Sequence, residues 1–307
     1  MIKIDSIKDN ISLDNKVDLG INKKSRILEI IFEKIFLICA SVSIISIFII
    51  SFFIFLQGIP AIIEIGLFNF IFGQKWQPSG DIFGIFPMIV GSLYVTFGSI
   101  LIGVPIGIFT AIYIAKIANR HIAPILNTAI ELLAGIPSVV YGFFGLMVIV
   151  PLIDKYLGGG GNSLLCAIIV LSIMILPTII KISQDAIKAV PKSYEEGSLA
   201  LGASKIQTIF KVVIPASKSG ILTSIVLGIA RAIGETMAVI LVAGNTPLIP
   251  DSITDRVRTL TANIAIEMGY AYGLHQKALF ATGVILFVFM MLLNLLLNFL
   301  TRKEGEY

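Results

Sequence analysis

Long apolar runs, separated by shorter polar stretches, set the pattern of this chain from about residue 35 to residue 300. A run of about twenty apolar residues can cross a bilayer as a helix, and backbone groups inside lipid must bond within their own segment. The runs also lack the alternation of barrel strands. The pattern therefore predicts an all-α membrane protein with about six transmembrane helices. They are placed at about Ile35–Leu56, Met88–Ile114, Ile125–Ile153, Leu164–Ile180, Gly220–Ala243 and Leu279–Leu300.

The polar stretches divide the chain into a tail and one transmembrane domain. Residues 1–33 are mostly polar and form the tail, and residues 34–304 hold the six spans. The third span contains Pro137, which removes a backbone donor, so we expect a kink or a break there. A long polar loop, at about 181–219, lies on one side of the membrane. The loops expected on the opposite side are 57–87, 154–163 and 245–277.

Basic residues give the orientation of the spans. Seven Lys and Arg residues precede the first span and six lie between the fourth and fifth, whereas the three loops on the other side hold five together. Cytoplasmic loops carry the excess of Lys and Arg, so both termini and the 181–219 loop are expected in the cytoplasm. Only 14% of the residues are charged, whereas soluble domains carry about 25%. The net charge of +4 follows from the loop bias and does not indicate nucleic-acid binding.

The sequence contains no arrangement typical of an enzyme or of a metal site. Its two cysteines fall in predicted spans, and its two histidines, His121 and His275, fall in predicted loops. It has no G-x-x-x-x-G-K-[ST] motif, so we do not expect it to hydrolyse ATP. We therefore expect no catalytic residue, no cofactor and no metal.

The loop between the fourth and fifth spans carries two helix signatures. Ser193-x-x-Glu196 and Ser204-x-x-Gln207 each fit a capping box, in which the serine and the third helical residue bond to each other's backbone. Gly202 between them suits a left-handed C-cap. The pattern predicts a hairpin of two short helices joined at that glycine. The predicted helices are about Tyr194–Leu201 and Lys205–Val213.

Two charged residues, Arg231 and Glu235, lie in the middle of the fifth span. A charged side chain at that depth costs at least about 2.5 kcal/mol on insertion scales, and such residues usually mark a pathway. Their spacing of four places them on one face of a helix, where they could neutralise each other. A structural ion pair and an anion pathway both fit. We favour the pathway because a buried pair is weak evidence for stability.

The chemistry of these two side chains indicates the type of substrate. A guanidinium offers a planar fork that fits a tetrahedral oxyanion. Glu235 would repel a fully ionised anion but would accept a proton from one that carries hydrogen, as phosphate does at neutral pH and sulfate does not. The pair therefore favours phosphate. Hydroxyl groups that could line the same pathway are Ser224, Thr223 and Thr236 in the fifth span, and Ser138 and Tyr141 in the third, where a packing kink is the simpler interpretation.

On spacing alone, the hairpin fits an ordinary surface element as well as a docking element for a soluble partner. However, Glu196-Gly197-Ser198, Gly202 and Val212-x-Ile214-Pro215 resemble, with matching spacing, the E-A-A, G and I-x-L-P loop of ABC importer permeases. The departures exchange small for small and apolar for apolar residues. In that family the first helix of the loop sits in a cleft of a cytoplasmic ATPase. The resemblance therefore implies a coupling helix whose contact residues are Glu196, Gly197, Ser198, Leu199, Gly202 and Ala203.

Four further segments narrow the resemblance to one branch of that family. They are residues 131–142, 230–239, 244–247 and 258–270. Together they are similar to the PstC-type phosphate permeases, which implies an ATP-driven phosphate importer that works by alternating access. The implied partners are a second related permease of the PstA type, two copies of a cytoplasmic ATPase and an extracytoplasmic phosphate-binding protein.

Other functions compete with this one. An ABC permease for another oxyanion, sulfate or molybdate, would share the ATPase loop. An ion-coupled secondary anion transporter would also bury arginine and glutamate, but it would have no use for a docking hairpin. A membrane enzyme is the weakest fit, because the sequence shows no nucleophile–base pair.

Overall fold

The computed structural model describes the backbone of residues 23–302, and the elements follow in this order. The first are α1 (Lys23–Ile65), α2 (Leu67–Phe72), β1 (Trp76–Gln77), a 3₁₀ turn (Pro78–Gly80), β2 (Ile82–Phe83) and α3 (Phe86–Ile112) with a π-helical turn (Tyr113–Ile117). Next are α4 (Ile122–Gly135), α5 (Ser138–Phe144), a π-helical turn (Gly145–Ile149), α6 (Val150–Leu157), α7 (Leu164–Ala189), α8 (Lys192–Ala200) and α9 (Lys205–Thr208). A π-helical turn (Ile209–Val213), α10 (Ile214–Ala216), α11 (Lys218–Gly234), α12 (Met237–Val242), α13 (Leu260–Glu267) and α14 (Gly273–Arg302) complete the described chain.

The chain forms two units, Met1–Phe53 and Ile54–Tyr307. In the first unit the described residues belong to α1, and the side chains of residues 28–50 are exposed and mostly apolar. Most of the predicted tail, residues 1–22, lies outside the described residues. The only regular strands in the described chain are β1 and β2, an antiparallel pair in which Trp76 faces Phe83.

Helix α7 is the centre of the second unit. Its apolar residues Leu171, Ile175 and Ile179 are fully buried. On the facing side of α3, a Cβ added at Gly103 would lie 2.8 Å from the Ile175 side chain. A Cβ added at Gly107 would lie 2.7 Å from the Ile179 side chain. The glycines therefore allow the two helices to approach closely, as small residues do in membranes.

The number of spans agrees with the sequence, but two of them are broken. In the described chain, five helices are long and apolar enough to cross a membrane. The number is six if Lys205–Ala216 and Lys218–Gly234, which meet at a bend of 70°, are counted as one broken span. The third predicted span is divided at Pro137, as expected. The fifth was predicted as one helix, which is wrong: α11 ends at Gly234 and a new helix begins at Met237.

Candidate functional site

The surface hairpin, residues 192–216, follows the end of α7 and contains α8, α9 and α10. Its first helix begins at Lys192, directly after Pro191, and no side chain caps it. The predicted capping box of Ser193 and Glu196 is therefore wrong. The fixed φ of a proline suits a helix start, so this helix begins early and Ser193 falls inside its first turn.

The turn and the second half of the hairpin agree with the sequence. Gly202 has a φ of +87°, in the left-handed region that favours glycine. The predicted second capping box is present, because the Ser204 N–H donates to Gln207 Oε1 at 2.9 Å and the Gln207 N–H to Ser204 Oγ at 3.3 Å. The second helix begins at Lys205, as predicted.

Buried contacts join the hairpin to the ends of the long helices. Ile209 and Val213 are buried in an apolar cluster with the last turns of α3 and with α7. The ammonium of Lys116, just beyond α3, is ion-paired with the carboxylate of Glu195 in α8. The hairpin is therefore packed and ion-paired against the ends of α3 and α7.

The opposite face of the hairpin is apolar and open. The side chain of Leu201 is 91% exposed, and those of Ile206 and Phe210 are also exposed. Exposed apolar patches of this kind mark interaction sites. The residues that the resemblance assigns to an ATPase contact lie here: Glu196, Gly197, Leu199 and Gly202 are exposed, and Ser198 and Ala203 are half-buried.

The two glycines of the hairpin allow a matched test of its turn. A Cβ would meet nothing within 4 Å at either Gly197 or Gly202, but only Gly202 has a positive φ. We expect Gly202→Ala to speed amide hydrogen exchange across residues 192–216 at least about fivefold, since left-handed backbone costs an L-residue about 1–2 kcal/mol. Gly197→Ala should leave exchange unchanged or slow it, because alanine favours helix. Equal exchange in the two variants would contradict this account of the turn.

The first helix break lies between α4 and α5. Ile136 and Pro137 are extended, and α5 begins at Ser138, which is half-buried. The hydroxyl of Tyr141, one turn into α5, donates to the carbonyl oxygen of Leu133 at 2.7 Å. Tyr141 thus bridges the break from a buried position and satisfies a carbonyl near the end of α4.

The second break lies between α11 and α12. Glu235 is extended, with φ −70° and ψ 132°, and its Oε1 accepts the backbone N–H of Ala238 at 3.0 Å. The hydroxyl of Thr236 donates to the carbonyl of Gly234 at 3.3 Å. The carbonyl of Glu235, freed by the break, accepts the hydroxyl of Thr261 at 2.9 Å.

Arg231 stands one turn before this second break. It is half-buried, and its Nη1 donates to Thr178 Oγ1, near the middle of α7, at 3.3 Å. The ion pair with Glu235 that the sequence allowed is absent among the described residues, because the helix ends between the two and Glu235 bonds to the backbone of α12 instead. The guanidinium of Arg231 therefore has a neutral hydroxyl as its side-chain partner.

The helices that follow the two breaks, α5 and α12, pack directly against each other. A Cβ added at Gly142 of α5 would lie 2.7 Å from Cα of Ala238 in α12. Tyr141, Ala232 and Ala238 lie in one buried cluster. The broken segments, with Arg231 beside Ala232 and the Tyr141 hydroxyl, therefore form one polar region inside the apolar bundle.

Ser224 lies apart from this region. Its side chain is fully buried, and its hydroxyl lies 2.7 Å from that of Ser183 in α7. One turn on, a Cβ at Gly228 would lie 3.0 Å from the Ile179 side chain. In this conformation Ser224 thus contributes to the packing of α11 on α7, whereas Thr223, the other hydroxyl named with it, is exposed.

A second polar cluster, the Glu267 network, lies at the other end of α7. The loop that leads to it bonds to the start of that helix, where the Leu164 N–H donates to the Asp255 carbonyl at 2.8 Å. Glu267 is buried, and Oε2 accepts Trp76 Nε1 at 2.8 Å and lies 2.8 Å from Nε2 of His275. The hairpin and the network are thus at opposite ends of the bundle.

Arg258 completes this network. It donates to Glu267 Oε1 at 2.6 Å, to Asn263 Oδ1 at 3.0 Å and to the Asn245 carbonyl at 2.7 Å. Burial, and the negative charge of Glu267, raise the pKa of the nearby Tyr270 hydroxyl, against the opposing effect of Arg258. The sequence places Arg258 and Glu267 in the 245–277 loop but indicates no role for either side chain. One signal in the sequence could have indicated this network: several charged residues and the single tryptophan lie in loops that are expected on the same side of the membrane.

Comparison with known proteins gives a consistent family. Residues 103–304 match the model of the binding-protein-dependent transport system inner membrane component. The probable ABC transporter permease protein YqgH of Bacillus subtilis (strain 168) is 43% identical over 273 residues, which cover 87% of this chain and 88% of that protein. The phosphate transport system permease protein PstC of Pasteurella multocida (strain Pm70) is 35% identical over 263 residues, with coverage of 78% and 82%.

Solved structures share the fold at lower identity. The methionine ABC transporter MetNI, in an inward-facing conformation, has a TM-score of 0.60 at 19% identity and covers 75% of this chain and 99% of its own. A bacterial ABC transporter involved in the import of the acidic polysaccharide alginate has a TM-score of 0.62 at 16% identity, with coverage of 91% and 99%. At these identities the likeness shows the fold alone.

Proposed function

We propose, from the premise that this chain belongs to the family of binding-protein-dependent transport system inner membrane components, that it is the phosphate permease subunit of an ATP-driven importer. Membership makes it a multi-pass ABC importer permease. The observation that carries the phosphate assignment is Arg231. Its guanidinium lies beside the middle of α7, one turn before a helix break, and is hydrogen-bonded to the neutral hydroxyl of Thr178.

The absence of an ion pair between Arg231 and Glu235 supports this proposal. A guanidinium neutralised by Glu235 would have to lose that partner before it could bind an anion. Here Glu235 is bonded to the backbone of α12, so the fork of Arg231 can bind two oxygens of a tetrahedral anion. In our proposal the Tyr141 and Thr236 hydroxyls and Ser138 line the same pathway, and Ser224 supports it through helix packing.

Glu235 supports phosphate over a fully ionised anion. Its carboxylate lies at the break one turn after Arg231 and would repel sulfate. Monohydrogen and dihydrogen phosphate carry a proton that the carboxylate can accept as a hydrogen bond. The several PstC relatives favour the same substrate, whereas YqgH is described only as a probable ABC permease and MetNI is a methionine transporter.

This discrimination has a direct test in the Glu235→Gln variant. We expect the ratio of the phosphate uptake rate to the sulfate uptake rate to fall about tenfold or more. The variant removes the charge that repels sulfate, and a loss of about 1.4 kcal/mol of repulsion changes such a ratio tenfold. Initial uptake rates of the two radiolabelled anions into proteoliposomes give the ratio. Glu64→Gln, at an exposed glutamate of α1, is the matched control and should not change it. An unaltered ratio in Glu235→Gln would contradict the role of this carboxylate.

The second candidate function is an ABC permease for another oxyanion. Arg231 fits any tetrahedral anion, so its fork alone favours sulfate and molybdate as much as phosphate. The same uptake ratio separates these candidates, because preference of the unmodified complex for sulfate would favour this alternative.

The fold suggests how ATP hydrolysis would move the pathway. In our proposal the hairpin, together with both termini, faces the cytoplasm and its open face binds one of two ATPase subunits. The chain bends by 70° between α10 and α11, and α11 then leads to Arg231 over about 20 Å. Closure of the ATPase pair would therefore tilt α11 and open or close the breaks in alternating access. A PstA-type permease and a phosphate-binding protein complete the proposed assembly.

A further inference from the structure

Helix α13 connects the two polar regions of the molecule. It runs from Leu260 to Glu267, a length of about 12 Å. Its last residue is the centre of the Glu267 network, and its second residue, Thr261, bonds to the second helix break. The sequence placed this segment in an extracytoplasmic loop, and the pathway proposed above does not include it.

The outer end of α13 is held by three separate segments. Glu267 accepts hydrogen bonds from Trp76 of β1 and from Arg258, and it is bonded to His275 of α14. The Trp76 indole also packs edge-on against Phe83 of β2, with ring centroids 5.5 Å apart. Charge-assisted bonds to a buried carboxylate are the strong ones. A change in position of β1 or α14 is therefore passed to α13.

The surface above this end is accessible to a partner. A cavity of about 430 Å³ is lined by residues of the β1–β2 turn, by Glu267, and by the start of α14. The side chains of Tyr270 and Tyr272 at its rim are 62% and 84% exposed. A protein that docks here contacts the segments that Glu267 holds together.

The inner end of α13 is bonded to the transport region. The Thr261 hydroxyl donates to the carbonyl of Glu235 at 2.9 Å. The Leu260 N–H donates to Ser92 Oγ of α3 at 2.9 Å. Thr261 is buried, so this bond is shielded from water. The extended conformation of Glu235 is thus fixed in part by a residue 26 positions away.

We infer that α13 is a rigid link through which contacts on the outer surface, such as docking of the binding protein, bias the break at Glu235. Glu267 and Thr261 are the positioning residues at its two ends. The inference rests on the pathway proposed at Glu235, but not on which oxyanion is carried. A link of this kind is demonstrated by energetic coupling between its ends rather than by proximity.

A double-mutant cycle measures that coupling without any substrate. Trp76→Phe loosens the outer end, Thr261→Val removes the inner bond, and Met237→Cys, at the start of α12, reports on the break. The readout is the rate at which a water-soluble maleimide labels Met237→Cys in the assembled complex, after replacement of both native cysteines by alanine.

We expect Trp76→Phe to change the labelling rate about fivefold, because it removes one buried hydrogen bond. In the Thr261→Val background, Trp76→Phe should leave the labelling rate unchanged. Thr261→Ser, which keeps the hydroxyl, should preserve the coupling. An unchanged rate in Trp76→Phe, or the same change with and without the Thr261 hydroxyl, would overturn the inference. Phosphate uptake by the unmodified complex is scored separately, so failure of the phosphate assignment is distinguishable from failure of the link.

Discussion

Arg231→Ala is expected to reduce phosphate uptake at least about a hundredfold while the complex still assembles. Hydrogen bonds to charged groups contribute about 1.5–3 kcal/mol each, and the variant removes both arms of the fork. Arg231→Lys keeps the charge but loses the bidentate geometry, so we expect an intermediate loss of about tenfold. Uptake of radiolabelled phosphate into proteoliposomes, at matched amounts of complex, gives both values.

Arg256→Ala is the matched control for this prediction. Arg256 is an exposed arginine in the loop before α13, so its loss removes the same charge outside the two broken segments. Its uptake should stay within about twofold of the unmodified complex, since surface substitutions usually have small effects. Arg231→Ala uptake as high as that of Arg256→Ala, in an assembled complex, would remove the basis for the phosphate assignment.

Leu201→Asp is expected to release the ATPase subunits from the complex. Leu201 is the most exposed apolar side chain of the hairpin, and we propose that it is buried on the ATPase. An unpaired carboxylate in such an interface costs several kcal/mol, which lowers affinity by about a hundredfold or more. Co-purification of the ATPase with a tagged form of this chain measures the effect.

Ile253→Asp provides the corresponding control. Ile253 is 56% exposed in the loop that approaches the start of α7, at the end of the bundle opposite the hairpin. The same change of charge there should leave ATPase co-purification intact. Retention of the ATPase by Leu201→Asp would show that the open face of the hairpin is not the docking surface.

The hairpin could be predicted from sequence because its signals are local. Gly202 and the Ser204–Gln207 capping box act within a few residues, and both are present. The first capping box failed because a neighbouring proline, Pro191, starts the helix earlier. The break at Pro137 was also local, since a proline in a span removes a backbone donor.

The rest of the site depends on contacts between distant parts of the chain. The break at Glu235 contains no proline, and it is supported by the hydroxyl of Thr261. Trp76 and Glu267 bond across 191 positions. Hydrophobic periodicity contains no information on either contact, so the fifth span appeared as one helix, with Arg231 and Glu235 on the same face.

The most direct test of the phosphate assignment is ATP-dependent uptake by the purified importer. Proteoliposomes would contain this chain with its partner permease, its ATPase subunits and the binding protein, and each radiolabelled anion would be supplied in turn. The account predicts uptake of phosphate that requires ATP, is lost in Arg231→Ala and is not inhibited by excess sulfate. Transport of sulfate or molybdate in preference to phosphate would contradict it.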